Sequence, residues 1–175
     1  MAIAQFNLPD RQRAERKLLI TVAEWEEDDG SSGTKTVREI LGTRTEDSSI
    51  EYNADISTST DILGINYTDI NKTQPQQDFD PYLVLGGSKL GARLNDIRRR
   101  NALAELGNFT MYIITAYVGT AGAYEAEKHV CCTITYNSLG GDTNVNFPIS
   151  VYFSNDSVTG TVDKLSDDFV FTQDV

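Results

Sequence analysis

Residues 145–153 read Val-Asn-Phe-Pro-Ile-Ser-Val-Tyr-Phe. Val145, Phe147, Ile149, Val151 and Phe153 alternate with Asn144, Asn146, Pro148, Ser150, Tyr152 and Ser154. A period of two is that of a β-strand with one face in a core and the other in water. Pro148 has no N–H to give to a ladder, so an edge or a bulge is expected there. Outward from this stretch, residues 124–136 read as one long strand or two. Residues 109–118, Phe-Thr-Met-Tyr-Ile-Ile-Thr-Ala-Tyr-Val, are strongly β-prone. Residues 119–122 and Gly140-Gly141-Asp142 supply turns, and residues 169–172 read as a short closing strand.

Toward the N-terminus, residues 18–25 are apolar at both alternating sets, Leu18, Ile20, Val22 and Leu19, Ala23, Trp25, as in a strand buried on two sides. The acids Glu26, Glu27, Asp28 and Asp29, followed by Gly and Ser to Gly33, are expected to end it as a solvated turn. Residues 36–41 and 49–56 follow as strands. In the second, Glu51, Asn53 and Asp55 alternate with Ile50, Tyr52, Ala54 and Ile56. Residues 57–80 read as a long polar connection: 61–68 are compatible with a short strand, and 69–80 are polar and carry Pro75. Connections of this length in compact domains are usually functional.

The one convincing helix opens at Gly86-Gly87-Ser88, with Ser88 as N-cap. Leu90, Leu94 and Ile97 recur at helical spacing, Asn101 continues the stripe with Leu103 and Leu106 near it, and Gly107 is a natural stop. Arg98, Arg99 and Arg100 fall late, where cations suit the helix dipole. Residues 1–16 form an arm, frayed or docked on a neighbouring subunit. Residues 17–175 form a single domain. The fold class is mainly β with one helix, an antiparallel β-sandwich or barrel-like domain of about eight to ten strands.

The chain has 175 residues and a formal net charge of −11. Tight nucleic-acid binding draws on Lys and Arg that neutralise phosphates, so this balance points away from it. No apolar run approaches the ~20 residues of a membrane span. Residues 1–9 lack the basic and apolar regions of a signal peptide. Cys131 and Cys132 are adjacent and have no third cysteine to bridge, and a single histidine leaves no multi-histidine metal set. No GxSxG, P-loop or HExxH pattern is present. His129 alternates with Glu127 and Glu125 and reads as a structural histidine paired with a neighbour. Asp78-Phe79-Asp80, with Asp69, lacks the ligand ladder of a calcium loop. The expectation is therefore no enzyme, no cofactor and no metal.

Residues 61–82, DILGINYTDINKTQPQQDFDPY, residues 124–129, YEAEKH, and residues 138–142, SLGGD, with the strand up to residue 155 that follows, carry a resemblance. From about residue 17 onward the chain resembles the major tail tube proteins of long-tailed bacteriophages and prophages of Gram-positive hosts. The resemblance implies a tail tube fold with a flanking helix, six subunits per ring, and rings stacked helically into a hollow tube through which phage DNA passes. Inner tubes of contractile injection systems share that fold. A head–tail connector, a tail terminator and a ligand-binding β-module are the other readings. The implied partners are further copies of the chain and the terminator, distal tail and tape measure proteins. DNA passes without tight binding, and there is no membrane anchor. The implied location is the virion tail, assembled in the host cytoplasm.

Acidity suits such a channel, because negative walls repel phosphate. Glu51, Asp55, Glu125 and Glu127 are the lumen candidates. The long connection and the arm supply the candidates for contact between rings: Arg11, Arg13, Tyr67, Asp69, Lys72, Gln74, Asp78 and Phe79.

Overall fold

The computed structural model describes residues 6–174. Its strands are β1 (Leu19–Asp28), β2 (Thr34–Ile40), β3 (Ile50–Glu51), β4 (Asp55–Thr60), β5 (Asn66–Lys72), β6 (Gln76–Phe79), β7 (Phe109–Thr120), β8 (Ala123–Tyr136), β9 (Ile149–Tyr152), β10 (Ser157–Val162) and β11 (Phe171–Gln173). One α-helix, α1 (Lys89–Arg100), lies between β6 and β7. All strand pairs are antiparallel. The fold is mainly antiparallel β with a single helix, as the patterning predicts.

Two layers share β8. Its first half pairs with β7 and β10 in the order β2-β1-β7-β8-β10-β11, and its second half pairs with β9 in the order β8-β9-β6-β3. The switch is a bulge. Met111 faces His129 and Phe109 faces Cys132, so two steps on β7 match three on β8. Cys131 takes the surplus residue with φ 56°. An extra residue bends a strand and inverts its side-chain parity. Here His129 and Cys132 are both buried while Cys131 is exposed.

The main core lies between the layers and under α1. It joins Trp25, Phe79, Leu94, Phe109, Phe147 and Val151. A second core on the far side of the β1-β7-β8 sheet joins Val22, Tyr112, Ile114, Ala126, Val162 and Phe169. β1 is thus buried on both faces, which explains its two apolar sets. Arg38 spans this second core: it pairs with Glu24 at 2.5 Å, donates to the Phe169 carbonyl, and lies 4.3 Å over the Phe169 ring.

Helix α1 begins and ends by recognisable chemistry. The Ser88 hydroxyl accepts from Gly91 N–H at 3.0 Å. Glu39, from β2, accepts the N–H groups of Lys89 and Leu90, and the Ser88 and Tyr82 hydroxyls also donate to it. A carboxylate there satisfies orphan donors and meets the positive end of the helix dipole. Replacing Glu39 with Ala is expected to cost about 1–2 kcal/mol by leaving those donors unpaired. A shift of the urea midpoint with unchanged slope is the check, and an unshifted midpoint would remove this role from Glu39.

Several expectations are corrected. Glu26, Glu27 and Asp28 do not end the first strand; they pair with Thr36, Lys35 and Thr34. The turn begins at Asp29, whose carboxylate accepts from Ser31 and Gly33 N–H. The helix stops at Arg100, because Asn101 adopts φ 54° and sends its N–H to Arg98, while Ala102 bonds Ile97. That is a Schellman close, which ends the stripe before Leu103. Residues 49–56 are not one strand, so Glu51 on β3 and Asp55 on β4 lie in different sheets. Residues 57–80, read as a long connection with at most a short strand at 61–68, hold most of a hairpin, β4–β5, and strand β6. β10 was not anticipated, and the pattern at 145–153 forms a strand only from Ile149, after Pro148. Val145 is exposed, whereas the other apolar members of that alternation are buried.

Candidate assembly surface

Among the described residues β4 and β5 pair only with each other. Opposed residues include Ile56 with Ile70, Thr58 with Thr68, and Thr60 with Asn66. These share one face, and Ser57, Ser59, Tyr67 and Asp69 share the other. Neither face is covered: Tyr67 is 48% exposed, Ile56 58% and Ile70 66%. The tip exposes Ile62 and Leu63 still further, and Ile65 to a similar degree. A lone two-stranded hairpin is marginal in water, and apolar clusters of this kind mark interaction surfaces.

The tip is nevertheless organised. The Asp61 carboxylate accepts Leu63 N–H at 2.8 Å and Ile65 N–H at 2.9 Å. Gly64 turns at φ 78°, a conformation that favours glycine. The Thr60 hydroxyl donates to the Asn66 side chain at 2.6 Å. The loop therefore presents its isoleucines and leucine in one conformation before any partner arrives, which lowers the ordering cost of association.

The contact candidates divide. Tyr67, Asp69 and Lys72 lie on β5, all exposed, and Gln74 follows on the exposed return to β6. Asp78 is exposed on β6. Phe79 is a correction: at 1% exposure it belongs to the core, because the period of β6 turns it inward beside Gln77. Arg11 and Arg13 are exposed on the arm. The arm's residues 1–5 lie outside the described residues. Its Phe6 bridges Val118, and the Asn7 N–H donates to the Tyr117 carbonyl at 3.0 Å.

Sequence reasoning missed the largest contributors, Ile56, Ile62, Leu63, Ile65 and Ile70. The signal was present: two β-prone runs of similar length flank Asp61-Ile-Leu-Gly64, a turn sequence.

The lumen candidates do not share a surface. Glu51 stands in a row with Gln76, Tyr152 and Thr133. Asp78, Ser150 and Thr135 form the next row on that face. This outer face of the β8-β9-β6-β3 sheet is polar throughout. Asp55 sits at the hairpin base opposite Lys72. Glu125 and Glu127 oppose Thr115 and Ile113 on the side of β8 that carries His129.

His129 is buried. Its Nδ1–H donates to the Ser154 carbonyl at 2.8 Å, and Nε2 lies 3.4 Å from the Glu127 carboxylate. Burial disfavours the imidazolium, but the Glu127 carboxylate and the Ser154 carbonyl outweigh it, so the histidine pKa is raised from its ordinary 6.5. The same pair holds Glu127 below the usual carboxylate range. A raised histidine pKa contributes stability that is complete below about pH 6.5 and is lost as pH rises through the folded value. The Glu127 contribution runs the other way and is lost as pH falls through its depressed value. Glu127→Gln is expected to lower the His129 pKa in an NMR titration. Its stability deficit relative to the parent should shrink from pH 6 to pH 8, and an unmoved titration would break the coupling.

Burial pushes the Cys132 thiol up, away from the reactive thiolate. Among the described residues, no three His, Cys, Asp or Glu side chains converge as a metal set, and no helix is long and apolar enough to cross a membrane.

No family model and no curated protein matches the chain. A similar solved chain belongs to the cryo-EM structure of the anti-feeding prophage (AFP) baseplate, 6-fold symmetrised. Identity is 10%, the alignment covers 87% of this chain and 97% of that one, and the TM-score is 0.39. A superposition that loose identifies neither family nor role, and the functional reading rests on this chain's own residues.

Proposed function

We propose that this protein is a structural tail component that assembles with itself into the hollow tube of a long-tailed phage or phage-derived particle. The observation that carries the reading is the β4–β5 hairpin: an ordered, projecting element whose apolar side chains find no cover among the described residues. The resemblance at residues 61–82 to tail tube proteins falls on this same element. Rings of six subunits stack through it. Among the described residues the outer edge of β2 pairs with no other strand, so it is available to the next subunit of a ring. The contact is heterologous, the kind that closes rings or extends helices. Terminator, distal tail and tape measure proteins meet the ends and interior of the tube.

The wall facing DNA is the polar sheet face bearing Glu51 and Asp78. Carboxylates repeated around a ring repel phosphate over about 8 Å at physiological salt. The role is non-enzymatic and needs no cofactor.

Negative-stain microscopy of the purified protein is expected to reveal annuli and striated tubes. Light scattering that gives only monomer across concentration and salt would overturn the reading. In particles, Glu51→Lys with Asp78→Lys is expected to leave tubes intact and slow DNA ejection. Normal ejection would take the lumen role from this face alone.

A further inference from the structure

The sheet that carries the hairpin has two ends, and the chain exposes apolar side chains at both. The row Glu51, Gln76, Tyr152, Thr133 marks one end, and the hairpin leaves from it. The row Phe79, Ile149, Tyr136 marks the other. From that far end run the loops 80–86 and 137–148. They are zipped together: Val84 N–H donates to the Val145 carbonyl at 3.0 Å, Leu83 bridges Asn146, and Asn146 bridges Gly140. Val84, Leu139 and Val145 stand exposed there, all near half of their surface in water. Their neighbours in the fold leave them uncovered although Phe147, two residues on, is buried.

Charge is sparse at the same two places. In a chain of net charge −11, copies repel over most of their surface. The loop 80–86 carries only Asp80, whose carboxylate accepts from the Asn146 side chain, and 137–148 carry only Asp142. Residues 62–68 at the hairpin tip carry none, and the adjoining Asp61 carboxylate is occupied by its own loop. Two apolar, pre-ordered surfaces with few charges, one at the hairpin tip and one at the far end of the sheet, match a contact that repeats by translation.

We propose that the hairpin tip of one copy, Ile62, Leu63 and Ile65, docks on the Val84–Leu139–Val145 loops of a second copy. The inference rests on the self-assembly reading and adds the receiving site to it. Because donor and acceptor lie at opposite ends, each copy uses both, and growth is open-ended.

Leu63→Asp and Val145→Asp change exposed positions, so each should leave the monomer's melting temperature unchanged. Each should raise the concentration needed for tube growth more than about tenfold, since a charge would enter an apolar contact. Mixed one to one, the two variants retain one compatible junction, intact hairpin on intact loops, and should stop at two stacked layers in sedimentation and microscopy. On a Cys131→Ser background, Leu63→Cys with Val145→Cys should oxidise in assembled particles to a ladder of linked chains. Neither single variant should produce a ladder. Linked dimers from Leu63→Cys alone would mean that hairpins pair with hairpins and would overturn the loop site. Tubes that assemble without a 63–145 link, or that grow normally with Val145→Asp, would overturn it while leaving self-assembly standing. A parent chain that never assembles would remove the underlying reading and this one with it.

Discussion

Excising residues 56–71 and joining Asp55 to Lys72 through Asn-Gly is expected to abolish tubes and leave the domain folded. Asp55 and Lys72 are cross-strand partners, so their backbones already lie within reach of a two-residue turn. The ladder below them persists, because Gln74 N–H donates to the Tyr52 carbonyl and Ile50 and Glu51 stay paired with Gln77 and Gln76. The removed side chains are exposed or nearly so and contribute little to the core. The melting temperature should therefore move by less than about 3 °C. Assembly should respond far more. Ile62 is fully exposed and Leu63 78% exposed, and burying such side chains contributes about 1.5–3 kcal/mol each at every junction. Melting curves paired with negative-stain images provide the check, and tubes of normal length from the excised protein would remove the hairpin from assembly. The cut must spare Gln77, which is buried, accepts the Thr21 hydroxyl at 2.8 Å and donates to Ser48 at 3.0 Å. A deletion running through β6 would damage the fold and confuse the two effects.

Phe79→Ala is expected to cost about 3–5 kcal/mol, the range for truncating a fully buried phenylalanine. Phe79 is almost wholly excluded from water and packs in the main core with Leu41, Ile149 and Tyr82. Domains of this size are held by about 5–15 kcal/mol, so the variant would sit near the edge of unfolding. Its denaturant midpoint should fall sharply. Tyr67→Ala, on the exposed hairpin, should leave that midpoint in place and weaken assembly only. If Phe79→Ala kept the parent midpoint, the inward placement of β6 would be wrong and Phe79 would return to the contact surface. The pair of variants separates loss of fold from loss of contact, two outcomes that look alike when only tube formation is scored.

Alternation and spacing made much of the scaffold legible. Residues 109–118, 124–136 and the part of 145–153 after Pro148 announced strands because each side chain's preference for core or water repeats with the period of the backbone. Ser88, Leu90, Leu94 and Ile97 announced α1 for the same reason at a different period. The exposed β5 candidates, Tyr67, Asp69 and Lys72, came from the polarity of their segment.

The rest depended on partners distant in the chain. Glu39 caps α1 from another strand, and no local pattern in residues 34–40 carries that information. The bulge at Cys131 resets parity halfway along β8, so the face of every later residue depends on a single irregular dihedral. Phe79 and Tyr67 are both aromatics in a polar stretch, yet one is core and one is surface. What separates them is that β6 pairs with β9 inside the sheet, whereas β5 pairs only with β4. Sequence by itself determined most of the segments that form strands or helix, since that choice is made largely by neighbours within a few residues. Only the tertiary structure decided which strands are covered, because burial is a property of what packs against a segment, and for the hairpin none of the described residues does.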